Sequence, residues 1–315
     1  MRLFRLEIKR ILKSRRTLIL LAVAMVLSVL MAYLPISFEG INRPNEDETV
    51  TELDGLAAIE YKRDLYAATQ GEVTAEKVKE ALITYQNCVK QYGPIDGEEF
   101  PLEVNIEKIV PIRPLLKGVS EAFADPTTGI GADWMDIDPD EVEQHYYEKC
   151  AEHLSDVMKN EQKNHFSAQQ KASAKYEEVD KPFQLYAGMS KDAFDYIELY
   201  ILILSILCVA IAAPIFSNEY QTGADSILRA TKHGRTRLAI TKISASITIF
   251  VSTFVIGIAV HLLILNVAFG TDCLKTSFQM LFSIINLSNI NLGQLEIILA
   301  LAGKSTWRLL ALFHI

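Results

Sequence analysis

Residues 17–34 carry no charged side chain and are almost wholly aliphatic. A helix that is apolar all round must be covered on every side, by the core of a large protein or by lipid. At about 1.5 Å per residue, this stretch can cross most of a hydrocarbon core about 30 Å thick. A cleaved signal peptide has the same basic start and apolar run. This run is long for one, however, and Ala32-Tyr33-Leu34-Pro35 lacks the small-x-small cleavage pattern. The reading is an uncleaved span over residues 17–36.

Two further stretches share the property. Residues 196–216 are interrupted only by Glu198 and Pro214, and residues 243–269 contain no Asp, Glu, Lys or Arg. The third stretch carries two stripes of small and hydroxyl residues at helical spacing, Ser244/Thr248/Ser252 and Ser246/Thr253/Gly257. Small residues let neighbouring membrane helices approach closely. The region 278–302 is a fourth apolar stretch, but Asn286, Asn289, Asn291, Gln294 and Glu296 interrupt it. Such groups are costly in lipid, so a fourth crossing and a re-entrant or interfacial hairpin are both open.

Charge sets the orientation. The first 36 residues hold seven Lys/Arg against the single Glu7, and the loop 217–242 holds Arg229, Lys232, Arg235, Arg237 and Lys242. Basic flanks stay in the cytoplasm, so both segments are expected there, at the plasma membrane of a multi-pass protein. Residues 37–190 then lie outside. That segment carries 31 acidic and 15 basic residues, a net of −16, and with the chain at −8 overall nucleic acid is not an expected partner. Residues 1–16 project as an amphipathic helix, with Phe4, Ile8, Ile11 and Leu12 on one face and the basic residues opposite. Such a helix lies on an anionic lipid surface. A plain topogenic cluster would need no helix.

The external segment reads as helical over Glu52–Thr69, Ala75–Tyr92 and Pro139–Tyr176, which are rich in Ala, Glu, Lys, Gln and Leu. Asp138 is an expected N-cap with Pro139 as first helical residue. Residues 111–114 and 124–138 read as loops. The Asp133/136/138/140 run lacks the glycine and glutamate of a calcium loop, and His145, Cys150 and His153 lack a fourth ligand for zinc. Cys88 and Cys150 fall on separate expected helices, where a disulfide would pin the two together if their Cα atoms come within about 7 Å. His261 is the one ionisable residue of the third span and a default functional candidate; a hydrogen bond to a neighbouring helix or headgroup is the plainer role. The fold class is therefore mainly α: a polytopic helical membrane protein with a large helical extracytoplasmic domain between its first two spans.

The order of these parts carries a resemblance. A basic amphipathic N-terminal helix leads into a first span, a large external insertion follows, and the second span ends in Phe216-x-x-Glu219-x-x-x-Gly223. Leu228, Arg235 and Lys242 then lead into the third. This resembles the membrane subunit, or permease, of type-2 ABC exporters in bacterial cell membranes. The resemblance implies that Glu219, Gly223, Ile227, Leu228, Arg229 and Arg235 form a coupling helix that docks on a separate ABC ATPase, which holds the ATP. No cofactor is expected in this chain: Gly303-Lys304-Ser305-Thr306 looks like the end of a phosphate loop, but Ile298 stands where its first glycine belongs. Family members usually have six spans, so either the chain is a truncated or divergent member or a second permease copy or subunit completes the pathway. The alternative function is a membrane-anchored sensor or assembly factor whose external domain binds a ligand or partner.

Overall fold

The computed structural model describes residues 2–45, 47, 49–189, 191–214, 223 and 236–298. The chain begins with α1 (Arg2–Leu12) and α2 (Arg15–Ser37). An antiparallel hairpin follows, β1 (Gly40–Pro44) against β2 (Val50–Asp54), in the register Gly40 to Asp54. Next come α3 (Gly55–Tyr66), β3 (Gly71–Val73), α4 (Ala75–Tyr92) and the short α5 (Leu102–Val104), which opens a wound stretch reaching Ile112. Helices α6 (Arg113–Ala122), α7 (Pro139–Glu161) and α8 (Phe166–Glu177) lead to β4 (Phe183–Leu185), which pairs antiparallel with β3. Then follow α9 (Lys191–Ala212), α10 (Thr236–Phe269) and α11 (Phe278–Leu281), with residues 292–298 helical again.

These elements form two compact units. The first comprises Met1–Ile36, Asp192–Val267 and the described residues from Glu296; the second comprises Ser37–Lys191 and Ala268–Leu295.

In the first unit, α2, α10 and residues Ala193–Ala212 of α9 are the three described helices long and apolar enough to cross a membrane. Helix α10 starts at Thr236, seven residues before the expected start of the third span, so Lys242 lies inside the helix and is 1% exposed. Leu18, Ile19, Val26, Leu202, Ile206 and Leu263 remain outward-facing. In α1, Phe4, Ile8 and Ile11 of the expected apolar face are half-buried but Leu12 is exposed, as are Arg2, Arg5, Lys9 and Arg10. Of the two small-residue stripes, Thr253 and Gly257 are buried, whereas Thr248 and Ser252 are exposed.

The second unit has its own apolar core, built around Leu82, Leu115, Leu116, Val119, Tyr146 and Phe183. Helix α4 starts where the sequence places it because the Thr74 hydroxyl accepts from Lys77 N, and it ends at Gly93, whose φ of 86° suits glycine. Asp138 caps α7 as expected, its carboxylate accepting from Asp140 N. The expected long helix over Pro139–Tyr176 is instead two helices, broken at residues 162–165. Glu52 lies in β2, not in a helix, and residues 113–114 open α6. Gly118 lets α6 and α7 close up, since a Cβ there would sit 2.7 Å from the Tyr146 hydroxyl. The Tyr147 hydroxyl ties β3 to β4 by donating to Val73 O and accepting from Phe183 N.

Residues 278–298 do not form one continuous helix. Residues 277–291 are part of the second unit: Tyr176 donates its hydroxyl hydrogen to Ile284 O, Asp180 N donates to Asn289 Oδ1, and Glu121 accepts from the Ser283 hydroxyl and from Ile284 N. The asparagines that would be costly in lipid are satisfied here by backbone partners. A helix begins only at residue 292, behind a reciprocal cap in which Asn291 Oδ1 accepts from Gln294 N and Gln294 Oε1 accepts from Asn291 N.

Candidate functional site

Helices α2, α9 and α10 meet at a buried polar junction. Ser28 on α2 shares a 2.5 Å hydrogen bond with the Tyr200 hydroxyl on α9, and it also donates to Ala24 O. The Tyr200 ring stacks on His261 of α10, with ring centroids 4.7 Å apart and planes 12° from parallel. His261 is 0% exposed; its Nδ1 lies 3.3 Å from Ser28 O, and its Nε2 has no hydrogen-bond partner. Helices α9 and α10 come this close because of Gly257, where a Cβ would lie 2.6 Å from the Tyr200 hydroxyl and 3.0 Å from Leu204. Cys208 lies at the same pair of helices, its thiol directed at Phe250 O. Nearer the C-terminal end of α10, Asn266 donates to Glu296 at 3.0 Å, and one oxygen of each side chain has no partner.

An arrangement of this kind fixes relative helix positions. Hydrogen bonds between membrane helices are worth about 0.6–2 kcal/mol each, and the stacked rings add contact that only this rotation of α9 against α10 allows. The sequence singled out His261, but not Ser28 or Tyr200. A serine and a tyrosine in apolar runs are ordinary, and only their convergence on His261 marks them.

Of the residues expected to dock on an ATPase, Glu219, Ile227, Leu228, Arg229 and Arg235 lie outside the described residues. Gly223 is described: it is exposed, with φ of +67°. The expected loop 217–242 is shortened at its end, because residues 236–242 are the first two turns of α10.

The structure holds no bond between the two cysteines of the possible disulfide. Cys88 on α4 and Cys150 on α7 are both buried free thiols in the core of the second unit. Cys150 faces the hydroxyls of Tyr176 and Tyr146, and burial pushes its thiol up to about 12. In an unfolded chain it would titrate near 8.5. The folded protein therefore binds the extra proton across that window, so this contribution to stability is present below about pH 8.5 and is lost as pH rises towards 12. Maleimide at pH 8 is expected to leave Cys150 unmodified in the native chain. In urea without reductant it should label both Cys88 and Cys150; labelling that requires reductant would show a bridge after all.

His153 is buried with an unpartnered Nδ1, and burial lowers its pKa; exposed His145 instead pairs with Glu148. Among the described residues no group of acidic, histidine and cysteine side chains could hold a metal ion.

Three long apolar helices joined at a polar seam, with a separate folded unit, define a helical membrane protein. The model of the ABC-2 family transporter proteins matches residues 1–306, and the chain belongs to that family. It is thus a permease-type component of membrane transport. No curated protein and no solved structure matches it.

Proposed function

We propose that this chain is the permease subunit of an ATP-driven exporter in a bacterial plasma membrane, driven by a separate ABC ATPase. Membership of the ABC-2 family over nearly the whole chain supports this reading most strongly. In it, the N-terminus and the segment 217–235 face the cytoplasm, as their Lys/Arg content favours, and the second unit lies outside. Glu219, Gly223, Ile227, Leu228, Arg229 and Arg235 form the ATPase-docking surface. A second copy of the chain, or a related subunit, completes the pathway. Lipids hold α1 through its basic face. The junction of Ser28, Tyr200 and His261 then ties together the helices that change orientation when the ATPase closes.

The test is co-purification with the ATPase subunit. Leu228→Asp and Glu219→Lys are expected to cut recovery of the ATPase at least tenfold while leaving the permease in the membrane fraction. Recovery of no ATP-hydrolysing partner by the unaltered chain would overturn the reading.

A further inference from the structure

The second unit contains a cavity of about 240 Å³. Drug-sized ligands occupy roughly 300–1,000 Å³, so its occupant is smaller. Its walls come from the segments by which the chain passes into the three long apolar helices: Glu39 follows α2 by two residues, Met189 precedes α9 by two, and Phe269 is the last residue of α10. The inner lining is apolar, with Ile59, Leu185, Met189 and Phe269 all buried.

The walls are locked together. Ser277 N donates to Gln184 O, Gln184 N donates to the Ser277 hydroxyl, and Tyr186 N donates to the Thr276 hydroxyl. Gly188 lies so close to Cys273 that a Cβ would fall 2.3 Å from that of Cys273. The cavity is therefore framed by bonded backbone, which makes it a preformed space.

Its charge is opposite to that of its surroundings. Among the described residues, Glu39, Lys62 and Arg63 are its charged lining residues. Lys62 is bound to Glu39 at 2.5 Å, so these two cancel. Arg63 makes no ion pair among the described residues. Its guanidinium lies on the Gly270 backbone, where a Cβ would come within 3.4 Å of Cζ and where φ is +85°. Asp272 also feels the Arg63 charge but is itself bound to Lys275 at 2.8 Å. Among the described residues one net positive charge thus stands beside an apolar interior, within a segment whose net charge is −16. Nonspecific attraction to such a segment would favour cations.

We propose that this cavity binds a small amphiphilic anion, with its carboxylate or phosphate on Arg63 and its apolar body among Ile59, Leu185, Met189 and Phe269. The site needs no ATPase, so it is measured on this chain alone and its outcome is separate from that of the permease reading.

The probe is decanoate, titrated calorimetrically into the full chain in phosphatidylcholine nanodiscs, with empty discs subtracted. Saturable binding is expected, weakened at least tenfold by Arg63→Glu and largely kept by Arg63→Lys. Ala187→Phe, which adds a ring to the cavity wall, is expected to remove it with the Trp134 fluorescence unchanged. Decyltrimethylammonium, with the same chain length and opposite charge, is expected to give no saturable binding. Discs doped with phosphatidylglycerol identify the source of the anion. Competition that Arg63→Glu abolishes assigns the site to a lipid headgroup, and undiminished decanoate binding assigns it to a free amphiphile. The proposal fails if decanoate does not saturate, if Arg63→Glu binds it as tightly as the unaltered chain, or if the cation binds equally well.

Discussion

Gly257→Leu is expected to lower the thermal midpoint of the protein in nanodiscs and to separate α9 from α10. A side chain at this position meets the Tyr200 hydroxyl and Leu204 at 2.6 and 3.0 Å before its first branch. Overpacking of this kind costs about 1–3 kcal/mol. Displacing Tyr200 also removes its bond to Ser28 and its stacking on His261, which adds about 1 kcal/mol more. Tyr200→Ala alone is destabilising, yet combined with Gly257→Leu it should recover part of the loss by opening the occupied space. That coupling is the signature of direct contact. A Gly257→Leu protein that melts with the unaltered chain would show that α9 and α10 do not meet at this glycine.

Phe183→Ala is expected to have the largest effect in the second unit. Phe183 is fully buried, packs edge-on against Tyr147 with centroids 5.1 Å apart, and supplies the backbone N–H that the Tyr147 hydroxyl accepts. Truncating a buried phenylalanine costs about 3–5 kcal/mol. The chain has two tryptophans, and Trp134 belongs to this unit, donating its indole hydrogen to Leu116 O. In a Trp307→Phe background its fluorescence reports urea unfolding of the unit directly. The midpoint should fall with little change in slope. An unmoved midpoint would mean that β4 is not part of the cooperative core.

The sequence was most informative where a single local rule governs. Asp138 announces α7 because a carboxylate before a helical run has one favourable use, accepting from the first free N–H groups. The three long apolar helices are legible because length and the absence of charge leave few alternatives. One feature misled. Prolines 111 and 114 suggest a loop, yet Pro114 sits in the first turn of α6, where its missing N–H costs nothing. For residues 278–291 a crossing and a hairpin stayed open, because hydropathy does not distinguish lipid from the core of a folded unit. The separation between partners limited the site in the same way. Ser28 lies 233 residues from His261, and no periodicity connects them. The hairpin of β1 and β2 escaped because Gly40–Pro44 and Val50–Asp54 show no alternation of apolar residues.

The second unit is assembled from two stretches of chain separated by a pair of long apolar helices, and this imposes an order on biosynthesis. Ile284 belongs to its core and closes over Tyr176 and Gly118. When a ribosome has completed β4, that corner is still empty, and it stays empty while α9 and α10 are made. At about 5–20 residues per second, the roughly ninety intervening residues take on the order of 5–20 s. Throughout that interval the nascent unit lacks the residues that close the groove between α6 and α8, so its final closure reports that both helices have already been synthesised.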